Sequence, residues 1–221
     1  MAIKNIHTLR AAKRGPIVLD LMACHTESEI EDLKAALDRL LPEKELTFLA
    51  LEVADWNRDL SPWEGPAAFG EESFAGHGQE TLRQIEEAVL PPLKADKRPI
   101  LLTGYSLAGL FALWAAYESP AFDGIVCASG SLWFEGWEAY IRTHHLKSLC
   151  PVYLSLGGKE ERTKNPMMAR VGEMTRLQKS LLEKDPGASS VCLEWNPGGH
   201  FANTRERLIK GLDYLIKEME K

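Results

Sequence analysis

Short, almost wholly apolar segments alternate along this chain with longer stretches whose apolar residues recur at helical spacing. No other feature constrains the fold as strongly. The apolar segments are PIVLDLMA (16–23), LTFLALEVA (46–54), PILLTG (99–104), GIVCAS (124–129), PVYLSLG (151–157) and VCLEW (191–195). A strand that is apolar on both faces needs cover on both faces, which is the situation of a parallel sheet between helical layers. The intervening stretches supply that cover. Ile30, Leu33, Leu37 and Leu40 follow a candidate capping box, Ser28-x-x-Glu31. Leu82, Ile85 and Val89 mark a helix over 79–90, which Pro91-Pro92 is expected to stop. A helix over 107–117 follows the third strand, and Asn165-Pro166 opens another that carries Val171, Met174, Leu177 and Leu181. Leu208, Leu212, Leu215 and Met219 mark a closing helix. The expectation is an α/β three-layer sandwich with a mostly parallel sheet of about six strands.

At 221 residues the chain suits one domain, 1–221, and can bury roughly 70% of its unfolded surface without a disulfide or metal staple. Residues 55–78 break the rhythm, with six Gly or Pro, two Trp, two Phe and little periodicity. Such a stretch is expected to form a lid or substrate wall, with a plain surface excursion as the alternative. The net charge of −6 provides no field to gather phosphates, so neither nucleic acid nor an anionic membrane is expected as a partner. Cys24, Cys127, Cys150 and Cys192 form no Cys-x-x-Cys pair and read as reduced core thiols. The basic N-terminus, MAIKNIHTLRAAKRG, has no apolar stretch of signal-peptide length, and no run approaches the roughly 20 apolar residues that span a bilayer. A cytoplasmic protein is expected.

Chemistry concentrates at Gly104-Tyr105-Ser106-Leu107-Ala108-Gly109, directly after a buried strand and directly before a helix. A serine on so sharp a turn is held in strained backbone geometry and needs small neighbours, here Gly104 and Ala108. The turn lifts the hydroxyl above the sheet at the positive end of the following helix, and the Leu107 N–H then points where an oxyanion would form. An ordinary strand–helix turn is the bland alternative.

A serine hydroxyl needs a base within hydrogen-bonding reach. When such a serine is the nucleophile on an α/β sheet, the acid and then the histidine follow it in the chain, each beyond a strand. His200, in Asn196-Pro-Gly-Gly-His200-Phe201, stands after the last strand and before the last helix. His7, His77, His144 and His145 lie in less suitable places. The acid is expected after the strand 151–157, where Glu160 is preferred over Glu161. A Ser–His dyad, or an acid at Asp55 or Asp59, stays open, as does a solvated charge cluster with Lys159 and Arg162. The second oxyanion donor is expected from the loop after the first core strand, at the N–H of Ala23 or Cys24. Trp56, Arg58 and Trp63 beyond one strand, Tyr105 beside the serine, Trp133 beyond another strand and Phe201 beside His200 are candidate substrate-binding residues. Lid packing, and an Arg58–Asp59 pair, are the alternatives there.

These residues resemble the esterase branch of the α/β-hydrolase superfamily that includes the esterase D-like enzymes and the enterochelin and bacillibactin esterases. The resemblance is carried by DLSPW (59–63), GYSLAGLFALWA (104–115), ASGSLWF (128–134), SLGGKEE (155–161) and NPGGHF (196–201). It implies an α/β-hydrolase-like fold, Ser106 as nucleophile, His200 as base and Glu160 as acid. The elbow departs from the common pattern by carrying Ala108 where many relatives have Gly. There is no room for the extra N-terminal strands or domain of the larger relatives, so a siderophore substrate is not implied.

The reading is a serine hydrolase acting on a small-molecule carboxylic ester through an acyl-enzyme, with no metal or organic cofactor. An acyltransferase, thioesterase or peptidase would use the same residues, and a non-catalytic binding protein would keep the same fold.

Overall fold

The apolar segments become strands because each side chain on them has a helix to pack against. In the computed structural model, which describes residues 1–23, 26–68 and 70–221, they form one seven-stranded sheet. The chain runs β1 (Ile3–Arg10), β2 (Ile17–Met22), α1 (Glu27–Leu40), β3 (Thr47–Val53), α2 (Trp56–Leu60), then a short ribbon of β4 (Glu64–Gly65) and β5 (Phe74–Ala75). It continues through α3 (Gly78–Gln84), α4 (Leu90–Lys94), β6 (Ile100–Tyr105), α5 (Leu107–Glu118), β7 (Gly124–Ala128) and α6 (Trp137–Ile141). The last elements are β8 (Cys150–Gly157), α7 (Pro166–Ala169), α8 (Val171–Leu182), β9 (Ala188–Asn196) and α9 (Thr204–Met219).

Alternation along β2 shows how the layers are assigned. Ile17, Leu19 and Leu21 face the core under α5 and α8, whereas Val18 and Met22 face the core under α1 and α9. Helix α5 is buried from Leu107 to Tyr117, because it lies between the sheet and the outer elements of its layer. Helices α1 and α9 are amphipathic and turn Leu33 and Leu37, and Leu208, Leu212 and Leu215, inward. The result is an α/β three-layer sandwich with helices on both faces.

Strand order is β1-β3-β2-β6-β7-β8-β9, parallel except for the antiparallel β1–β3 pair. The chain therefore winds outward in both directions from the β2–β6 pair, where Leu21 lies opposite Gly104. In open α/β sheets the crevice beyond the carboxyl ends of the strands at such a switch point is where ligands bind. Ser106 and Ala23 both stand there.

The sheet has seven strands, because residues 3–10 add an edge strand to the six apolar ones. Only Ile3 and Leu9 of β1 are buried apolar residues. Its polar side chains converge instead on Glu52 of β3, with Lys4 Nζ at 3.0 Å, Asn5 Nδ2 at 2.7 Å and His7 Nε2 at 3.2 Å. Two local helix expectations need correction. The cap of α1 is Thr26, two residues before Ser28, and Glu29 Oε2 accepts from the Thr26 N–H at 3.2 Å. Pro91-Pro92 does not stop the third helix. A π-turn over Ile85–Val89 shifts the hydrogen-bond ladder, so both prolines fall in the first turn of α4, where no N–H is needed. Asn165 caps α7 as expected, its Oδ1 accepting from the N–H groups of Met167 and Met168 at 3.0 and 3.2 Å.

Among the described residues, no helix is long and apolar enough to cross a membrane. Cys127, Cys150 and Cys192 are free thiols, and burial pushes those of Cys127 and Cys150 up to about 12. Cys24 lies outside the described residues.

Helix α9 reaches the sheet only because Gly211 has no side chain. A Cβ there would stand 2.5 Å from Tyr153 Cδ1 and 2.6 Å from Val126 Cγ1. Gly211→Val is expected to destabilise the fold by about 2 kcal/mol or more, measured as a lowered urea midpoint at unchanged m-value.

Candidate active site

Ser106 has φ 62° and ψ −122°, a left-handed conformation that a residue with a Cβ adopts only when its surroundings enforce it. The surroundings do so from both sides. The Ser106 N–H donates to Ala128 O at 3.0 Å, and the Ser131 N–H donates to Ser106 O at 3.0 Å. Helix α5 also starts so close to β6 that a Cβ on Gly104 would lie 2.4 Å from the carbonyl of Ala108. The demand for a small residue thus falls on Gly104, and the Ala108 side chain is accommodated and fully buried.

His200 Nε2 lies 3.0 Å from Ser106 Oγ, and His200 Nδ1 lies 2.8 Å from Glu160 Oε2. Three segments separated by 94 and 40 positions along the chain therefore meet in one hydrogen-bonded row. Glu160 opens a 3-10 turn, Glu160–Arg162, just after β8. Its Oε1 accepts from the Gly157 N–H at 2.6 Å, Ser129 Oγ at 2.7 Å and Arg207 Nη2 at 2.9 Å. Burial pushes the Glu160 carboxyl up, but hydrogen bonds from His200, Ser129 and Gly157 outweigh it and hold the group down at about 2. An ionised carboxylate facing one imidazole nitrogen, with a hydroxyl on the other, is the arrangement of a nucleophile–base–orienter row.

The other candidate acids are engaged elsewhere. Glu161 faces Arg176 at 3.3 Å. Asp55 caps α2, accepting from the Arg58 N–H at 3.0 Å, and Asp59 pairs with Arg58 at 2.8 Å.

A cavity of about 770 Å³ opens over Ser106. Its apolar walls include Trp56, Phe74, Trp133, Met168 and Val171, and Phe201 stands at its rim, 90% exposed. Leu107, as the first residue of α5, has an N–H with no intrahelical acceptor, and it lines the cavity together with Ala23. Two candidate substrate-binding residues do not line this cavity. The Trp63 ring packs against Phe134, Trp137 and Tyr140, and its Nε1 donates to Glu135 O at 2.8 Å. Arg58 is held by Asp59 beside α2. Both follow β3 closely in the chain, but Arg58 is turned to Asp59 and Trp63 is packed among aromatic rings. Tyr105 does line the cavity, yet its hydroxyl donates to His200 O at 2.5 Å and accepts from Arg207 Nη1 at 2.7 Å.

Arg207 is a residue that motif reading missed. It is 1% exposed, on the first turns of α9. One signal was available, since Arg207 shares the helical stripe of Gly211 and Leu215, where a charge has no place unless it is paired.

Several solved structures resemble this fold. An IroE-like serine hydrolase from Shewanella oneidensis superposes with a TM-score of 0.75 at 17% identity, over 94% of this chain and 72% of that one. The chain has the α/β-hydrolase fold. The siderophore hydrolase EstA from Aspergillus nidulans gives 0.68 at 19% identity, over 92% of this chain and 83% of its own. The enterobactin esterase FES from Shigella flexneri gives 0.67 at 17% identity, over 98% of this chain and 56% of its own. No protein-family profile and no curated protein sequence matches the chain. Ser106, Glu160 and His200 follow the ends of β6, β8 and β9.

Glu160 has its carboxyl lowered from 4.5 to about 2, so its ionised form contributes stability that is fully present above pH 4.5 and is lost as pH falls towards 2. The stability difference between wild type and Glu160→Gln is expected to be large at pH 6 and to shrink across that window. Urea denaturation of both proteins between pH 6 and pH 3 measures it.

Proposed function

We propose that this protein is an esterase-type serine hydrolase that cleaves a carboxylic ester of a small molecule. The observation that carries the reading is the unbroken row Ser106 Oγ–His200–Glu160, with spacings of 3.0 and 2.8 Å, at the floor of an apolar cavity. The similar structures, which include a serine hydrolase and siderophore and enterobactin esterases, support the same class of chemistry.

Ser106 Oγ attacks the ester carbonyl as His200 Nε2 takes its proton, and Glu160 stabilises the imidazolium that results. The negative charge that develops on the carbonyl oxygen is received by the Leu107 N–H, with the N–H of Ala23 or Cys24 as the second donor. A single well-placed donor of this kind lowers the barrier by about 3 kcal/mol. His200 then protonates the leaving alcohol and activates water to release the acid. The row itself supplies proton transfer and the nucleophile, so neither a metal nor an organic cofactor enters this scheme. The walls of Trp56, Phe74 and Trp133 suit an apolar or aromatic substituent on the ester, and Trp56, Asn57 and Phe74 come from the 55–78 stretch. We further infer that the chain acts as one domain.

Acyl transfer to another acceptor, thioester cleavage and peptide cleavage use the same row, and the ester is preferred because the similar structures include siderophore and enterobactin esterases. The test is intact-mass analysis after exposure to a fluorophosphonate. Wild type is expected to gain one adduct and Ser106→Ala none. Both Ser106→Ala and His200→Ala are expected to lose on the order of 10⁴-fold or more in kcat/KM on chromophoric esters. A folded wild type that takes up no probe and cleaves no ester would point to a binding protein.

A further inference from the structure

We propose, resting on the hydrolase reading above, that Arg207 and Tyr105 are positioning residues that lock Glu160 and the His200 loop into one orientation behind the reacting atoms. The guanidinium makes three bonds inside the molecule. Nη2 donates to Glu160 Oε1 at 2.9 Å and to Ser129 Oγ, and Nη1 donates to Tyr105 OH at 2.7 Å. Tyr105 OH in turn donates to the backbone carbonyl of His200 at 2.5 Å. The links close into a ring, from His200 Nδ1 to Glu160, to Arg207, to Tyr105 and back to the His200 carbonyl. One guanidinium therefore fixes both the acid that the imidazole faces and the backbone from which the imidazole hangs.

Two details argue that this arrangement serves orientation and not packing alone. First, the carboxylate oxygens are divided. Oε1 takes Gly157, Ser129 and Arg207, which leaves Oε2 to His200. Second, a flexible apolar side chain would fill the same space without the cost of burying a cation, which is recovered only through well-aligned partners. Arg207 is well suited to the task because its planar fork reaches three partners at fixed angles, which a lysine cannot do. The guanidinium carbon also sits 5.3 Å from the centroid of the Tyr105 ring, steadying the ring whose next residue is Ser106.

The charged surroundings of the pair are defined. Arg207 faces it from α9 and Tyr105 from β6, while Lys159 just precedes the 3-10 turn and Arg162 closes it. Asp20 of β2, raised by burial to about 7, and Arg205 of α9 line the same cavity, and Glu161 is drawn off by Arg176 of α8. Glu194 of β9, near Arg207, is held by Lys210 and Tyr153. Burial raises the Tyr105 hydroxyl to about 12, so it remains a donor at any working pH. Arg207 is thus the buried cation in direct contact with Glu160, and its removal makes proton uptake by the Glu160–His200 pair easier.

The experiment compares wild type, Arg207→Met, Arg207→Lys and Tyr105→Phe by kcat and kcat/KM against pH on one neutral chromophoric ester, with thermal melting to confirm folding. Arg207→Met is expected to lose on the order of 100-fold in kcat. Its acidic limb is expected to move upward by about one pH unit. Arg207→Lys keeps the charge, so its limb stays near that of wild type while kcat falls. Tyr105→Phe is expected to lose about tenfold in kcat, the worth of one hydrogen bond, with KM and the limb little changed. Folded variants with wild-type kcat and an unmoved limb would overturn the proposal, as would a drop in kcat of equal size in all three without any movement of the limb. If Arg207→Met does not fold, the Lys and Phe variants decide through kcat.

A second readout separates this proposal from the hydrolase reading. The downfield proton resonance of the His200 Nδ1–H, identified by its loss in His200→Gln, reports the ring whether or not the protein turns over an ester. Faster exchange of that proton in Tyr105→Phe and a higher titration midpoint in Arg207→Met support the tether even if no ester is cleaved. An unchanged resonance in both sinks it.

Discussion

Everything at the site depends on one strained residue. Ser106 can hold a positive φ only because the chain on each side of it is clamped, by Ala128 O before the turn and by the Ser131 N–H after it. Those clamps come from β7 and the loop that follows, so the strain is sustained by the sheet and not by the turn's own sequence. Gly104 adds the second condition, since α5 begins so near β6 that no side chain fits between them. The hydroxyl is therefore presented by the best-packed part of the molecule, where strand β6 and helix α5 are both buried. A site held by rigid elements can keep its geometry to the fraction of an ångström that nucleophilic attack requires.

The second physical theme is buried charge. Glu160 and Arg207 are both almost fully withdrawn from water, with side-chain exposures of 4% and 1%. Such a pair contributes little to stability by itself, because desolvation offsets most of the attraction. What it supplies is direction. The carboxylate has defined partners on Oε1 and one on Oε2, and the imidazole follows from that division. The contrast with Glu52 is useful. That carboxylate also sits at about 2, held by Asn5, Lys4 and His7, but it fastens an edge strand and has no nucleophile beside it. A lowered carboxyl marks a site only when geometry places reacting groups next to it.

Fold and chemistry are joined through the topology. Because the sheet winds outward from the β2–β6 pair, the end of β2 and Ser106 at the end of β6 lie side by side, and the loops after β8 and β9 bring Glu160 and His200 to the same edge. Residues on the two faces then give the cavity its character. The layer containing α5 and α8 contributes the apolar wall, and the layer containing α1 and α9 contributes Arg207 and, at the cavity, Arg205.

Much of this was legible in the amino-acid order, for identifiable reasons. Six strands and the main helices show because their side chains are apolar at a period set by the backbone itself. Ser106, Glu160 and His200 show because a nucleophile turn and strand-end loops have local requirements for small residues, and those requirements are written in consecutive positions. Edge strand β1 did not show, since its partner is a buried carboxylate on β3 and not an apolar layer. Trp63 and Arg58 follow β3 closely in the chain, yet aromatic packing and the Asp59 pair keep them off the cavity. Sequence by itself determined the layered α/β class and the residues available for acyl chemistry. Tertiary structure alone decided that Ser106, His200 and Glu160 meet in one row, and that Arg207 and Tyr105 stand behind them. Those choices rest on contacts between residues 40 to 102 positions apart, whose distances no local pattern encodes.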